Sequence, residues 1–185
     1  MAMIDRETAL ELLKKYTPEE SQIIHAYCVE ETMRRFATEY GHDALYWSLV
    51  GLLHDIDYGL YPEEHCKMAP TLLAEVDVDD AFIRAVVSHG WQICSDVEPV
   101  HFMEKVLYTI DELTGLIYAT ALMRPQRMVG MGVKSVKKKW SSPSFAAGVN
   151  REIIARGAEL LGLPLETIIT LTIEAMEAAS EKIGL

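Results

Sequence analysis

A chain of 185 residues, half of them hydrophobic and 24% charged, is long enough for one domain with a sizeable core and has the make-up of a globular protein. Its net charge of −11 argues against a general nucleic-acid binder. No apolar run approaches the ~18 residues of a membrane span, so no membrane partner is expected.

The first stretch, MAMIDRETALELLKK, is helical in pattern and lacks the basic start and continuous apolar core of a secretory signal. The cytoplasm is the expected location. TPEE at 17–20 has the form of a helix start, with Thr17 as cap, Pro18 in the first turn and Glu20 closing a capping box. That helix runs through SQIIHAYCVEETMRRFATEY and stops at Gly41. The next, from about Asp43 to His54, is apolar almost all round and is expected to be central and buried. Asp57, Gly59 and Pro62 mark a loop. A short helix is expected from Glu63 over EEHCKMAPTLLAE, disturbed by Pro70. Asp79 caps a helix ending at Gly90. PVHFMEKVLYTIDELTGLIYATALM fits one long helix, or two end to end, stopped before Pro125. Gly130, Gly132 and the following lysines form a loop or short helix, Ser142-Pro143 opens a helix ending at Gly162, and Pro164 opens the last. The expected fold is a single all-α domain over residues 1–185, a bundle of roughly seven or eight helices with C-terminal helices over 143–185.

Three cysteines, Cys28, Cys66 and Cys94, are odd in number, widely spaced and without a C-x-x-C. They read as buried free thiols rather than a disulfide framework or a cysteine-built zinc site. Charge is unevenly spread. No Asp or Glu occurs from Leu113 to Arg151, a stretch that carries Arg124, Arg127, Lys134, Lys137, Lys138, Lys139 and Arg151. Such a segment can keep a place for an anion.

Several polar residues interrupt apolar faces: His25 after Ile23-Ile24, His54-Asp55 after Leu52-Leu53, His89 after Val86-Val87, and Asp111 after Ile110. A buried carboxylate needs a partner. One divalent cation held by several helices satisfies all of these groups together. Adjacent helical residues point about 100° apart, so His54 and Asp55 converge only if the helix ends between them. Any one histidine alone reads as a core histidine bonded to a carbonyl. Asp111 alone reads as an ion-pair partner for an arginine.

The ordered series, His25, His54-Asp55 in GLLHD, and Asp111 in YTIDELTGL, resembles the H…HD…D pattern of the HD-domain superfamily of metal-dependent phosphohydrolases. The resemblance covers roughly residues 20–120, and KSVKKKWSSPSFAAGVNRE resembles a subgroup of small single-domain members. It implies an all-α HD-type fold in which His25, His54, Asp55 and Asp111 hold one divalent ion. Members with two ions add histidines between the doublet and the last aspartate, and His65 and His89 lie in the corresponding segments. Two departures stand out: Gly90 follows His89 where a second histidine is usual, and Met68-Ala69 replaces a Gly-Ala pair. His42 and His101 read as surface or supporting residues.

The resemblance further implies hydrolysis of a small phosphate ester or nucleotide by metal-activated water, with one or two ions of Mn, Fe, Co, Ni, Zn or Mg. Asp55 would anchor the metal and bridge two ions. Asp57 and Glu112, beside the ligands, could act as general base or orient a ligand histidine, against the plainer reading of helix cap or solvated acid. Lys134, Lys137, Lys138 and Arg151 are candidates to meet substrate phosphate, with a solvated face as the alternative. Trp140 reads as a core residue that could stack on a base. An HD-fold di-iron oxygenase and a non-catalytic nucleotide-binding protein are the competing functions. The oligomeric state is not readable.

Overall fold

Nine α-helices among the described residues build the protein, and no strand does; the computed structural model describes residues 4–142 and 144–185. They are α1 (Arg6–Tyr16), α2 (Glu20–Tyr40), α3 (Ala44–Leu53), α4 (Ala69–Leu73), α5 (Asp80–Ser88), α6 (Phe102–Leu122), α7 (Val133–Trp140), α8 (Arg151–Leu161) and α9 (Leu165–Ala178). A 3₁₀ turn, Pro62–Glu64, stands between α3 and α4. No helix among the described residues is long and apolar enough to cross a membrane.

The all-helical architecture agrees with the sequence expectation, with more and shorter helices than expected. α3 is the buried central helix: Trp47 through Leu53 are all buried, and the Asp43 carboxylate caps the Leu45 and Tyr46 amides. It packs along α2, where Gly51 permits the close approach. A Cβ at Gly51 would stand 2.9 Å from the Val29 carbonyl oxygen and from Met33 Cγ. α6 is one unbroken 21-residue helix, not two, and packs against α2, α5, α7, α8 and α9. Its apolar residues Val106, Leu107, Ile110, Leu113, Leu116 and Ile117 recur at helical spacing and are fully buried. Gly41 and Gly162 close α2 and α8 in the left-handed conformation, with φ of 73° and 64°.

Three boundaries differ from the sequence reading. α2 begins at Glu20 with Glu19 at the cap position, and the buried Thr17 hydroxyl has no hydrogen-bond partner among the described residues. Pro18 forces Thr17 into extended backbone, so the helix starts beyond it. The helix expected over EEHCKMAPTLLAE is split into the 3₁₀ turn and α4, because Cys66 sits at φ 64° and interrupts it. Pro70 then falls in the first turn of α4, where it is tolerated rather than disruptive. The helix expected from Ser142-Pro143 starts only at Arg151, capped by Asn150 (Pro143 lies outside the described residues). The Arg151 guanidinium binds the carbonyls of Trp140, Ser142, Phe145, Ala146 and Val149, which holds that stretch as a turn.

Glu30, fully buried on α2, ties the two ends of the chain together. It accepts from Arg6 on α1 at 2.9 Å and from Lys182, beyond α9, at 2.6 Å. Burial pushes its carboxyl upward, but Arg6 and Lys182 overcome this and hold it below the usual glutamate value. The stabilisation is therefore present above the unfolded pKa and lost as pH falls through the lower folded value. Glu30→Gln should cost about 2–3 kcal/mol at neutral pH. In urea unfolding, the gap to the parent protein should close below pH ~4.5. Gly51→Ala should cost about 1–3 kcal/mol by the same measurement.

Candidate metal centre

The polar residues singled out in the sequence come from five separate places and meet in one. His25 lies in the second turn of α2, and Asp111 lies midway along α6. His54 and His89 are the C-cap residues of α3 and α5. Asp55 follows His54 just outside α3, and His65 follows the 3₁₀ turn. His54, the C-cap of α3, keeps right-handed helical dihedrals, and it still meets Asp55, with Nε2 and Oδ2 3.4 Å apart.

The donor atoms fall into two groups. In the first, His25 Nε2 stands 3.2 Å from His54 Nε2 and 2.9 Å from Asp111 Oδ1. His54 Nε2 is 3.3 Å from Asp111 Oδ1 and 3.4 Å from Asp55 Oδ2. In the second, His65 Nε2 and His89 Nε2 are 3.2 Å apart, at 3.5 and 3.2 Å from Asp55 Oδ1. Asp55 therefore turns one oxygen to each group. Around an ion with bonds of about 2.1 Å, neighbouring ligand atoms stand about 3.0–3.4 Å apart. These residues could hold divalent metal, in one seat or in two adjoining ones, as their His, Cys and Asp groupings allow.

The far sides of the rings explain why the near sides face one another. His54 Nδ1 donates to the Gly51 carbonyl at 2.8 Å, and His89 Nδ1 to the Val86 carbonyl at 2.5 Å. Both are carbonyls of a helix's last turn, where the helical amide partners run out; the Val86 carbonyl also accepts from the His89 amide at 3.3 Å. His65 Nδ1 donates to Asp57 Oδ1 at 2.8 Å. A carbonyl only accepts, so the proton is on Nδ1 and the neutral ring presents a lone pair at Nε2. Lone pairs facing at 3.2 Å repel, and either a proton or a cation must stand between them. The C-terminal ends of α3 and α5 add partial negative charge at the same spot, which favours a cation.

Without an ion, protons take that place. Burial pushes His54 down, but Asp55 and Asp111 overcome this and raise it well above the ordinary histidine value. Burial likewise opposes and Asp57 and Asp55 raise His65. Burial pushes the Asp111 and Asp55 carboxyls upward, and the histidines overcome it and hold both far down. Burial, with Asp111 beside it, pushes Glu112 up to about 7.

His25, Asp55, His65, His89 and Asp111 line the floor of a cavity of about 440 Å³, whose walls include Ser21, Gln22, Tyr58, Ile93, Glu112 and Val149; His54 is fully buried and does not line it. Glu112 faces this cavity, with Oε2 accepting from the Asn150 amide at 2.8 Å. Asp57 does not. It is fully buried, one oxygen on His65 and the other accepting from the Ala69 amide at 2.8 Å. Of the two roles considered for Asp57, orienting a ligand histidine is the one its contacts serve. His42 is exposed and stacks on Trp47, and Glu104 accepts from the His101 amide.

The basic segment is placed elsewhere. No Lys or Arg lines the cavity among the described residues. Lys134 and Lys138 are exposed on α7, and Lys137 pairs with Glu166 at the start of α9. Lys139 covers the Phe145 ring at 4.5 Å, and Arg151 is consumed by backbone carbonyls. Lys134, Lys137, Lys138 and Arg151 are therefore not brought to the donor cluster; their charge is spent on solvent, an ion pair and a turn.

Sequence reasoning missed Tyr58, whose ring meets His65 edge-on at 5.2 Å, and a pair of thiols. Cys66 and Cys94 come together with their sulfurs 3.2 Å apart, whereas Cys28 is buried alone on α2. The contact with Cys66, aided by His65 and His89 against burial, brings Cys94 down to about 6. The sequence signal available was the departure at Gly90. A Cβ there would lie 2.4 and 2.5 Å from the two sulfurs, so the histidine expected after His89 has no room.

No protein-family model, curated protein or solved structure matches the chain.

Divalent cobalt or zinc should bind with release of protons, visible as buffer-dependent heats in calorimetry, and should weaken as pH falls through the raised His54 and His65 values, already above the ordinary histidine value of ~6.5. Asp57→Asn should weaken the ion at the His65–His89 seat about 10–100-fold and leave the other seat nearly unchanged.

Proposed function

We propose that the protein is a metal-dependent phosphohydrolase of the HD-domain type, acting on a small phosphate ester or nucleotide. The observation that carries the reading is the division of Asp55 between two groups of imidazole and carboxylate donors on a cavity floor. Divalent metal held by these residues would supply Lewis acidity toward a phosphoryl oxygen and would acidify water.

The chain's own residues do the rest. His25, His54, Asp111 and Asp55 Oδ2 would hold one ion, and His65, His89 and Asp55 Oδ1 the other. Asp57 fixes the His65 ring, so that seat needs no rearrangement to form. With no lysine or arginine on the wall among the described residues, the phosphate's charge falls to the ions and to neutral donors such as Ser21. Glu112 is half-buried on the wall beside Asp111 and can take a proton from water or return it to the leaving oxygen. Ile93 and Val149 give the leaving group an apolar side. A volume of about 440 Å³ suits a small molecule rather than a polymer.

One observation favours a second reading, an HD-fold di-iron oxygenase: an anion site without lysine or arginine is unusual, and the same donors suit iron. The two readings separate by dioxygen uptake.

Protein loaded with Mn²⁺, Fe²⁺ or Co²⁺ should hydrolyse at least one member of a panel of phosphomonoesters, phosphodiesters and nucleotides. Asp55→Ala should lower that turnover about 10³-fold or more, with Glu112→Gln intermediate. An inert panel, or turnover that survives Asp55→Ala, contradicts the reading.

A further inference from the structure

Cys66 and Cys94 lie 28 residues apart in the chain, yet their sulfurs meet at 3.2 Å beside the His65–His89 seat. Three features of the backbone hold them there. Cys66 is in the left-handed region at φ 64°, a conformation that costs a side-chain-bearing residue on the order of 1 kcal/mol. Gly90 leaves open the space in which both sulfurs sit, which any Cβ would fill. The loop carrying Cys94 is closed onto Gly90, whose carbonyl accepts from the Cys94 and Ser95 amides at 3.0 and 3.1 Å. The two thiols also differ in access. Cys94 is half-buried on the cavity wall, while Cys66 is buried behind it.

We propose that Cys66 and Cys94 are a reversible dithiol–disulfide pair whose oxidation weakens ion binding at the His65–His89 seat. The coupling to the ion rests on the metal reading of the site; the thiol chemistry does not. With a peroxide as oxidant, the Cys94 sulfur attacks one peroxide oxygen and the O–O bond breaks. The products are a sulfenic acid on Cys94 and one water (for hydrogen peroxide). The Cys66 sulfur then attacks the Cys94 sulfur, the S–S bond forms, and the sulfenic oxygen leaves with the Cys66 proton as a second water. Two thiols give up two electrons and two protons, and the peroxide is reduced. A dithiol reductant reverses the change by exchange.

The ion seat feels this bond directly. A disulfide requires its sulfurs at about 2.05 Å, so the pair must close by more than 1 Å from the present 3.2 Å. Cys66 is peptide-bonded to His65, and ligand positions tolerate only about 0.2 Å. Closing the pair pulls His65 away from His89 and Asp55.

The test has two arms on the full chain. In the first, metal-free protein is treated with one equivalent of hydrogen peroxide and mapped by mass spectrometry. The expected result is loss of two of the three thiols, a Cys66–Cys94 linked peptide within one chain, and full recovery with dithiothreitol. Cys28→Ser should keep the link and Cys94→Ser should abolish it. Thiols that survive, oxidise singly to sulfinic acid or link between chains overturn the proposal, whether or not the Cys94 variant folds. In the second arm, cobalt is titrated into reduced and oxidised protein. The second ion should bind at least about tenfold more weakly after oxidation, and the difference should vanish with dithiothreitol. Equal binding in both forms overturns the coupling. No binding even to reduced protein overturns both the coupling and the metal reading while leaving the linked peptide as evidence for the thiol pair.

Discussion

The nitrogen lone pairs of His54, His65 and His89 are aimed inward because each ring's other nitrogen is already engaged. Gly51 and Val86 take two of the Nδ1 protons through helix-end carbonyls, and Asp57 takes the third through a buried carboxylate. Once those hydrogen bonds are made, the Nε2 atoms face one another, His25 Nε2 and the carboxylates of Asp55 and Asp111. Electropositive charge at that point, as protons or as metal, is the condition under which the arrangement is stable.

The fold serves this condition economically. Two helices, α3 and α5, end at the cluster, and a carbonyl in each last turn takes the Nδ1 proton and so fixes the histidine tautomer. Two others, α2 and α6, pass beside it and contribute one side chain each, His25 from the second turn of α2 and Asp111 from midway along α6. Gly51 lets α3 approach α2 closely enough for His54 to reach His25. The cavity above stays open on a wall of mixed character, from Glu112 to Ile93. Core packing and site geometry thus share the same helix contacts, and a substitution that moves α3 moves both.

Much of this was legible in the sequence, for identifiable reasons. His25, the His54-Asp55 doublet and Asp111 interrupt apolar faces, and an interruption of that kind demands a partner. The central burial of α3 and the stops at Gly41 and Gly162 followed from periodicity and capping. The basic segment misled because charge along a chain says nothing about direction: Arg151 turns back onto its own loop and Lys137 onto α9. The Cys66–Cys94 contact depends on a left-handed residue and a glycine on two separate loops, and no local pattern announces such a meeting. The outward hydrogen bonds of the histidines are three-residue backbone effects for His54 and His89, visible once the helix ends are known and invisible before.

The histidine protons decide whether the cluster is a metal site. Nitrogen-15 NMR of the imidazole rings, recorded near neutral pH before and during titration with zinc, measures them directly. His54, His65 and His89 should keep a proton on Nδ1 throughout. Their Nε2 atoms should lose any bound proton and shift to metal-coordinated values as zinc is added. Nε2–H tautomers in these rings, or nitrogen resonances indifferent to zinc, would contradict the metal-site reading.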